Sequence, residues 1–239
     1  ALFIQEKLDG TTAFDTRYIK VLWTSFYYSL LTTVVTLVLS IPVAMWIATR
    51  DARKRNLLVA LVTLPFWISI LIRTYGMRQI VADEGPIGKF LGIFNIEWSI
   101  LYSPPATILG LIYVFLPFMI LPIYASAERF DFRLAEAAYD LGAKRMTVVR
   151  RIILPSIRPG VISGIALVFI PALGSFLQSD MLGGGKTNMV ANVIANNFGQ
   201  ARNWPFGSAL AVLLIVLTLL FVLIMQGAAQ RRGDKVELV

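Results

Sequence analysis

No cysteine and no histidine occur among the 239 residues. Their absence removes disulfides, thiolate nucleophiles, zinc sites of the usual kind and the commonest general base. Charge is scarce too: Asp, Glu, Lys and Arg make up 15% of the chain, against about 25% in an ordinary soluble domain. No nucleophile–base constellation suggests an enzyme acting within the membrane. What is there instead is apolar: 57% of residues, with a mean hydropathy of +0.71. Such a chain must place many side chains in lipid. Five stretches carry no charge: 21–49, 56–72, 98–127, 159–179 and 203–230. Each approaches or exceeds the roughly 20 residues of a spanning helix. The runs are continuous rather than alternating, which excludes barrel strands. The sequence predicts an all-α, polytopic protein with one transmembrane domain over residues 1–239.

The few charges are unevenly placed. Loops 50–55, 128–158 and 231–239 hold 14 of the 22 Lys and Arg, whereas 1–20, 73–97 and 180–202 hold 8. The 14 acidic residues divide equally, so the net +8 lies almost entirely on one side. The positive-inside rule puts that side, including the C-terminus, in the cytoplasm. Topology and anionic headgroups therefore explain the charge better than nucleic acid does. Five spans with the C-terminus inside leave residues 1–20 outside, and a further span upstream is the expectation that removes this difficulty. Arg73, just past the second stretch, is expected to snorkel to the interface.

Prolines 42, 65, 117, 122 and 171 lie in or near the apolar runs, where neighbours or a cavity must satisfy the carbonyls they free. Pro171 with Gly174 is expected to break the fourth span. Gly160 and Gly164, like Ala106 and Gly110, are four apart, the spacing at which helices approach closely.

The loop between the third and fourth stretches, 127–158, carries the most specific pattern. Leu134 to Leu141 favours helix, and Gly142 stands where a left-handed stop is expected. A second short helix is predicted from about Met146 to Ile153, ended by Pro155. Ala137 and Ala138 leave a flat face, flanked by Glu136 and Asp140, on which another protein can sit.

Glu136-Ala137-Ala138, Gly142 three residues beyond Tyr139, and Ile153-Leu154-Pro155 after ten more residues resemble the EAA loop of bacterial ABC importer permeases of the type I, binding-protein-dependent class. The resemblance continues through Leu64-Pro-Phe-Trp67, Leu71-Ile-Arg-Thr-Tyr-Gly76, Leu116-Pro-Phe-Met-Ile-Leu-Pro122, Ser179-Asp-Met-Leu-Gly-Gly184, Asn203-Trp-Pro-Phe-Gly207 and Lys235-Val-Glu-Leu238. Taken together these are similar to the membrane subunits of spermidine/putrescine importers. The resemblance implies six spans and an inner-membrane location. It implies a coupling role toward two ATPase subunits for Glu136, Ala137, Ala138, Asp140, Gly142 and Pro155. ATP and Mg would be held by those subunits, with no cofactor on this chain. It further implies a second, homologous but non-identical permease subunit and a periplasmic or lipid-anchored solute-binding protein. A permease for another small organic solute, and a secondary transporter or channel, are the competing readings.

Gly183-Gly-Gly-Lys-Thr187 imitates the end of a phosphate-binding loop, but Asp180 stands where the first glycine belongs and no strand precedes it. A glycine turn is expected there, followed by a helix with Met189, Val190, Val193, Ile194 and Phe198 on one face and Asn188, Asn192 and Asn196 on the other. For a polycationic solute, Asp180 is the candidate carboxylate, with Trp67, Tyr75, Phe118 and Phe176 as candidate aromatic faces for cation–π contact.

Overall fold

The computed structural model describes residues 4–6, 12–14, 17–93 and 100–230. A short antiparallel pair, β1 (Ile4–Glu6) and β2 (Thr12–Phe14), comes first. Three residues per strand are too few for an alternating pattern to register in the sequence. The other regular elements among the described residues are helical: α1 (Arg17–Ala48), α2 (Ala52–Thr63) running into a 3₁₀ turn at Leu64–Trp67, α3 (Ile70–Val81), α4 (Pro86–Ile93) and α5 (Pro104–Glu128). Then come α6 (Arg133–Asp140), α7 (Arg145–Val148), a π segment at Val149–Ile153, α8 (Leu154–Ser156), α9 (Arg158–Leu173), α10 (Leu177–Gly183), α11 (Val190–Phe198) and α12 (Trp204–Gln230). The resemblance at Lys235–Leu238, the 231–239 loop and most of residues 1–16 lie outside the described residues.

Among the described residues three helices are long and apolar enough to cross a membrane: Tyr18–Ala48, Pro104–Glu128 and Trp204–Gly227. The other two predicted spans are broken. Ala52–Trp67 and Ile70–Phe90 are parted by a break after Trp67, and Arg145–Ser156 and Arg158–Leu173 meet at 69°. Pro65 accounts for the first break, since it has no amide hydrogen for a carbonyl one turn back. The break expected at Pro171 falls slightly later. Pro171 is accommodated within α9, and the chain leaves the helix at Gly174 before α10 begins.

Residues cluster into two compact units, Ala1–Thr32 with Ile68–Val114 and Phe169–Leu220, and Thr33–Trp67 with Phe115–Val168 and Phe221–Val239. The first is held by an apolar centre of Val81, Ala106 and Leu182, with Met77, Ile87, Ile100 and Leu101 around it. It also holds a buried polar network. Gln178 Nε2 donates to Thr74 Oγ1 at 3.2 Å, and the Thr107 and Thr187 hydroxyls pair at 2.9 Å. Ser175 donates to Gln178 Oε1, and Ser179 to the Thr187 carbonyl. The Val190 amide donates to Ser25 Oγ at 2.7 Å. Away from water such groups must find partners within the protein. Ser25, Ser29, Thr32, Thr36 and Ser40 are all buried on α1, and their spacing of three or four places them on one face.

In the second unit α9 lies close against α5. A Cβ on Gly160 would meet the Pro122 carbonyl, and one on Gly164 the Met119 sulfur. The small-residue spacing read from the sequence is thus a close helix contact, as the Ala106/Gly110 pair is in the first unit, where Gly110 abuts Leu182.

Candidate functional site

The 127–158 loop builds a rigid projecting helix from local rules. Asp131 Oδ1 accepts the Arg133 amide at 3.0 Å, satisfying one donor at the start of α6. At the other end Gly142 adopts φ +80°. Its amide donates to the Tyr139 carbonyl at 2.8 Å, and the Ala143 amide to the Ala138 carbonyl at 3.0 Å. These two bonds form a Schellman closure. Beneath the helix Phe130, Ala135 and Val148 form a buried centre, with Phe132, Ala138, Ala143, Ile152 and Ile153 packed on it. Phe130 and Phe132 meet edge-on at 5.2 Å. At the base of the loop Arg55 on α2 pairs with Glu128, the last residue of α5, at 3.3 Å.

This packing sorts the six residues expected to couple. Glu136, Ala137, Asp140 and Gly142 are exposed, whereas Ala138 is half-buried against the loop's own centre. The flat face is therefore Ala137 alone, flanked by Leu134 and Leu141, three before and four after it on the same side of the helix. Leu141 is 88% exposed, and Leu134, Tyr139 and Met146 are also open. The sequence reading missed these apolar residues. Their signal was large side chains beside Glu and Asp in a loop outside the apolar stretches. Pro155 does not end the second helix. The chain passes from α7 through the π segment into α8, with Pro155 inside it, and turns at Ile157. A missing amide near a helix start is tolerated, so the bend falls after Pro155 rather than before it.

The five residues proposed for a cation are not gathered within one unit. Tyr75, Phe176 and Asp180 belong to the first, Trp67 and Phe118 to the second. Phe118, half-buried, packs edge-on against Phe66 at 4.7 Å. Trp67 is 89% exposed at the break before α3. Tyr75 accepts a hydrogen bond from Gln79 Nε2 at 3.0 Å. Asp180 lies in α10 with its side chain exposed, and its carbonyl accepts the Gly184 amide at 3.2 Å. The glycine turn that follows has Gly184 and Gly185 at positive φ. Asn192 differs from its expected place. It is buried, accepting the Met189 amide and donating to the Phe176 carbonyl, both at 3.2 Å. Arg73 differs as well. Instead of snorkelling it is only 8% exposed, and its Nε and Nη1 have no hydrogen-bond partner among the described residues.

The family described as "Binding-protein-dependent transport system inner membrane component" matches residues 13–234. The spermidine/putrescine transport system permease protein PotB of Haemophilus influenzae is 42% identical over 231 residues, covering 95% of this chain and 81% of its own. PotB of Escherichia coli K12 is 39% identical, covering 95% of this chain and 84% of its own. Among solved structures, a bacterial alginate ABC transporter in complex with an alginate pentasaccharide-bound periplasmic protein superposes with a TM-score of 0.73 at 22% identity. That match covers 92% of this chain and 80% of the other. With matches of this extent, the chain belongs to the binding-protein-dependent transport system inner membrane components, as a permease subunit.

Proposed function

We propose that this chain is the permease through which an ABC importer moves spermidine- or putrescine-like polyamines, driven by separate ATPase subunits. The observation that carries the ATPase coupling is α6. It is a short helix locked at both ends, seated on its own buried centre, and presenting Leu134, Ala137 and Leu141 beside Glu136 and Asp140 to the outside. Apolar residues exposed together on so rigid a support fit a partner groove. The polyamine assignment rests on the PotB relatives, and no residue grouping within one unit of this chain adds to it.

In this reading two ATPase subunits hold ATP and Mg, and a second, homologous permease subunit completes the path. A periplasmic or lipid-anchored binding protein delivers the solute. The loop side and the C-terminus face the cytoplasm, where the basic loops lie. ATP binding closes the ATPases, and α6 transmits the movement as rigid-body rocking between inward- and outward-facing states. Only contacts that differ between those states can shift the equilibrium.

The test is retention of the ATPase. In the complex purified through a tag on this chain, Leu134→Asp with Leu141→Asp places two charges on the docking face. ATPase recovery is expected to fall by roughly tenfold or more, since desolvating even one unpaired charge costs several kcal/mol. Wild-type recovery from the double variant, at equal membrane insertion, would remove α6 from the ATPase contact.

A further inference from the structure

From the elbow between α8 and α9 we infer a binding site for the headgroup of an anionic phospholipid. Pro155 and Pro159 are four apart, so two carbonyls one turn apart, those of Arg151 and Pro155, lose their α-helical donors. The chain answers with the π segment at Val149–Ile153 before the first proline and a 69° bend around Ile157. π segments of this kind are rare and recur at functional sites.

A cavity of about 310 Å³ opens at this elbow, lined by Arg150, Leu154, Pro155, Arg158 and Val161. That volume is at the small end of the roughly 300–1,000 Å³ of ligand clefts. Its lining comprises two arginines and three apolar residues. Guanidinium is the side chain best matched to phosphate oxygens. The apolar side chains give the glycerol and first methylenes of an acyl chain a surface that a free phosphate would not use. The position is also right for a lipid. Arg158 is the last charged residue before the uncharged stretch 159–179, so the cavity lies where the chain passes from water into the bilayer. Arg151, Lys144 and Arg145 add positive charge nearby in the sequence, and each basic residue near an anionic surface contributes to attraction. The inference depends on the chain's place in the membrane and not on the polyamine assignment.

Native mass spectrometry of the assembled importer, released from nanodiscs, tests it. The discs contain phosphatidylcholine alone or phosphatidylcholine with a minor fraction of phosphatidylglycerol. Wild-type complex is expected to retain phosphatidylglycerol in preference to phosphatidylcholine. In Arg150→Ala with Arg158→Ala that preference is expected to drop by roughly tenfold. Arg150→Lys with Arg158→Lys, which keeps the charge, should restore part of it, and Arg151→Ala, outside the cavity lining, should lower it by clearly less than the double alanine variant does. Equal retention of both lipids by wild type, or an unchanged preference in the double alanine variant, would overturn the site. Inorganic phosphate binding to wild type in phosphatidylcholine discs, lost in the double variant, would make it a free-anion site and overturn the lipid assignment. Loss of the ATPase from the double variant with lipid retention unchanged would make the arginines part of the ATPase contact instead.

Discussion

Asp180 and Arg73 are two fixed charges in unusual places, and they differ in what surrounds them. The Asp180 carboxylate is exposed, while its main chain forms the turn through the Gly184 amide. Asparagine can form the same turn, so Asp180→Asn separates charge from shape. If the carboxylate holds a cargo ammonium once the partner permease covers it, uptake of radiolabelled spermidine should fall about tenfold. ATPase activity should stay near wild type, because α6 is untouched. Unchanged uptake at matched expression would leave Asp180 as a turn residue only. Arg73 is buried with two nitrogens unsatisfied among the described residues, a state that costs free energy. The sequence marked it as a charge beside an apolar stretch. It did not show burial, because burial is decided by tertiary packing, such as that of α10 on α3, between segments far apart in the chain.

At the scale of the element, the extent of α6 and its stop were legible in the sequence. Its start, its glycine stop and its exposed acidic pair follow from local propensity and the left-handed tolerance of glycine. The assignment of Ala138 was not legible, since facing partner or facing core is decided by Phe130 and Val148 beneath it. The two broken spans were half legible. Prolines announced a disturbance, but whether a helix kinks, widens to a π segment or stops depends on its neighbours. Gly142 offers a test of the element. A Cβ there has no atom within 4 Å, yet φ is +80°. Gly142→Asp should therefore insert and assemble, with a local penalty of about 1 kcal/mol for the left-handed backbone. Its carboxylate would project on the face that the proposed function assigns to the ATPase. ATP hydrolysed per solute imported should rise about tenfold, equivalent to about 1.4 kcal/mol. A wild-type ratio would show that the end of α6 is not part of the transmission. Gly142→Ala carries the strain without the charge, and is expected to keep most of the coupling.

For the whole molecule, apolar stretches and the distribution of basic residues were enough to read a polytopic membrane protein, because hydropathy and charge act without regard to tertiary contacts. The buried hydroxyls of α1 and the Gln178 network were not read. Ser, Thr and Gln in an apolar run look like tolerated exceptions until the partners they bond are brought beside them. A secondary transporter shares the lipid-facing helices and the broken spans, but it needs no docking helix for an ATPase. Uptake of radiolabelled spermidine and putrescine into proteoliposomes containing the complete complex separates the two most directly. The liposomes carry ATP with Mg on the ATPase side, and the binding protein is supplied on the other. Saturable uptake that needs both ATP hydrolysis and binding protein, and that persists when ion gradients are collapsed, is the predicted result. Uptake without ATP that follows an imposed ion gradient would contradict the account.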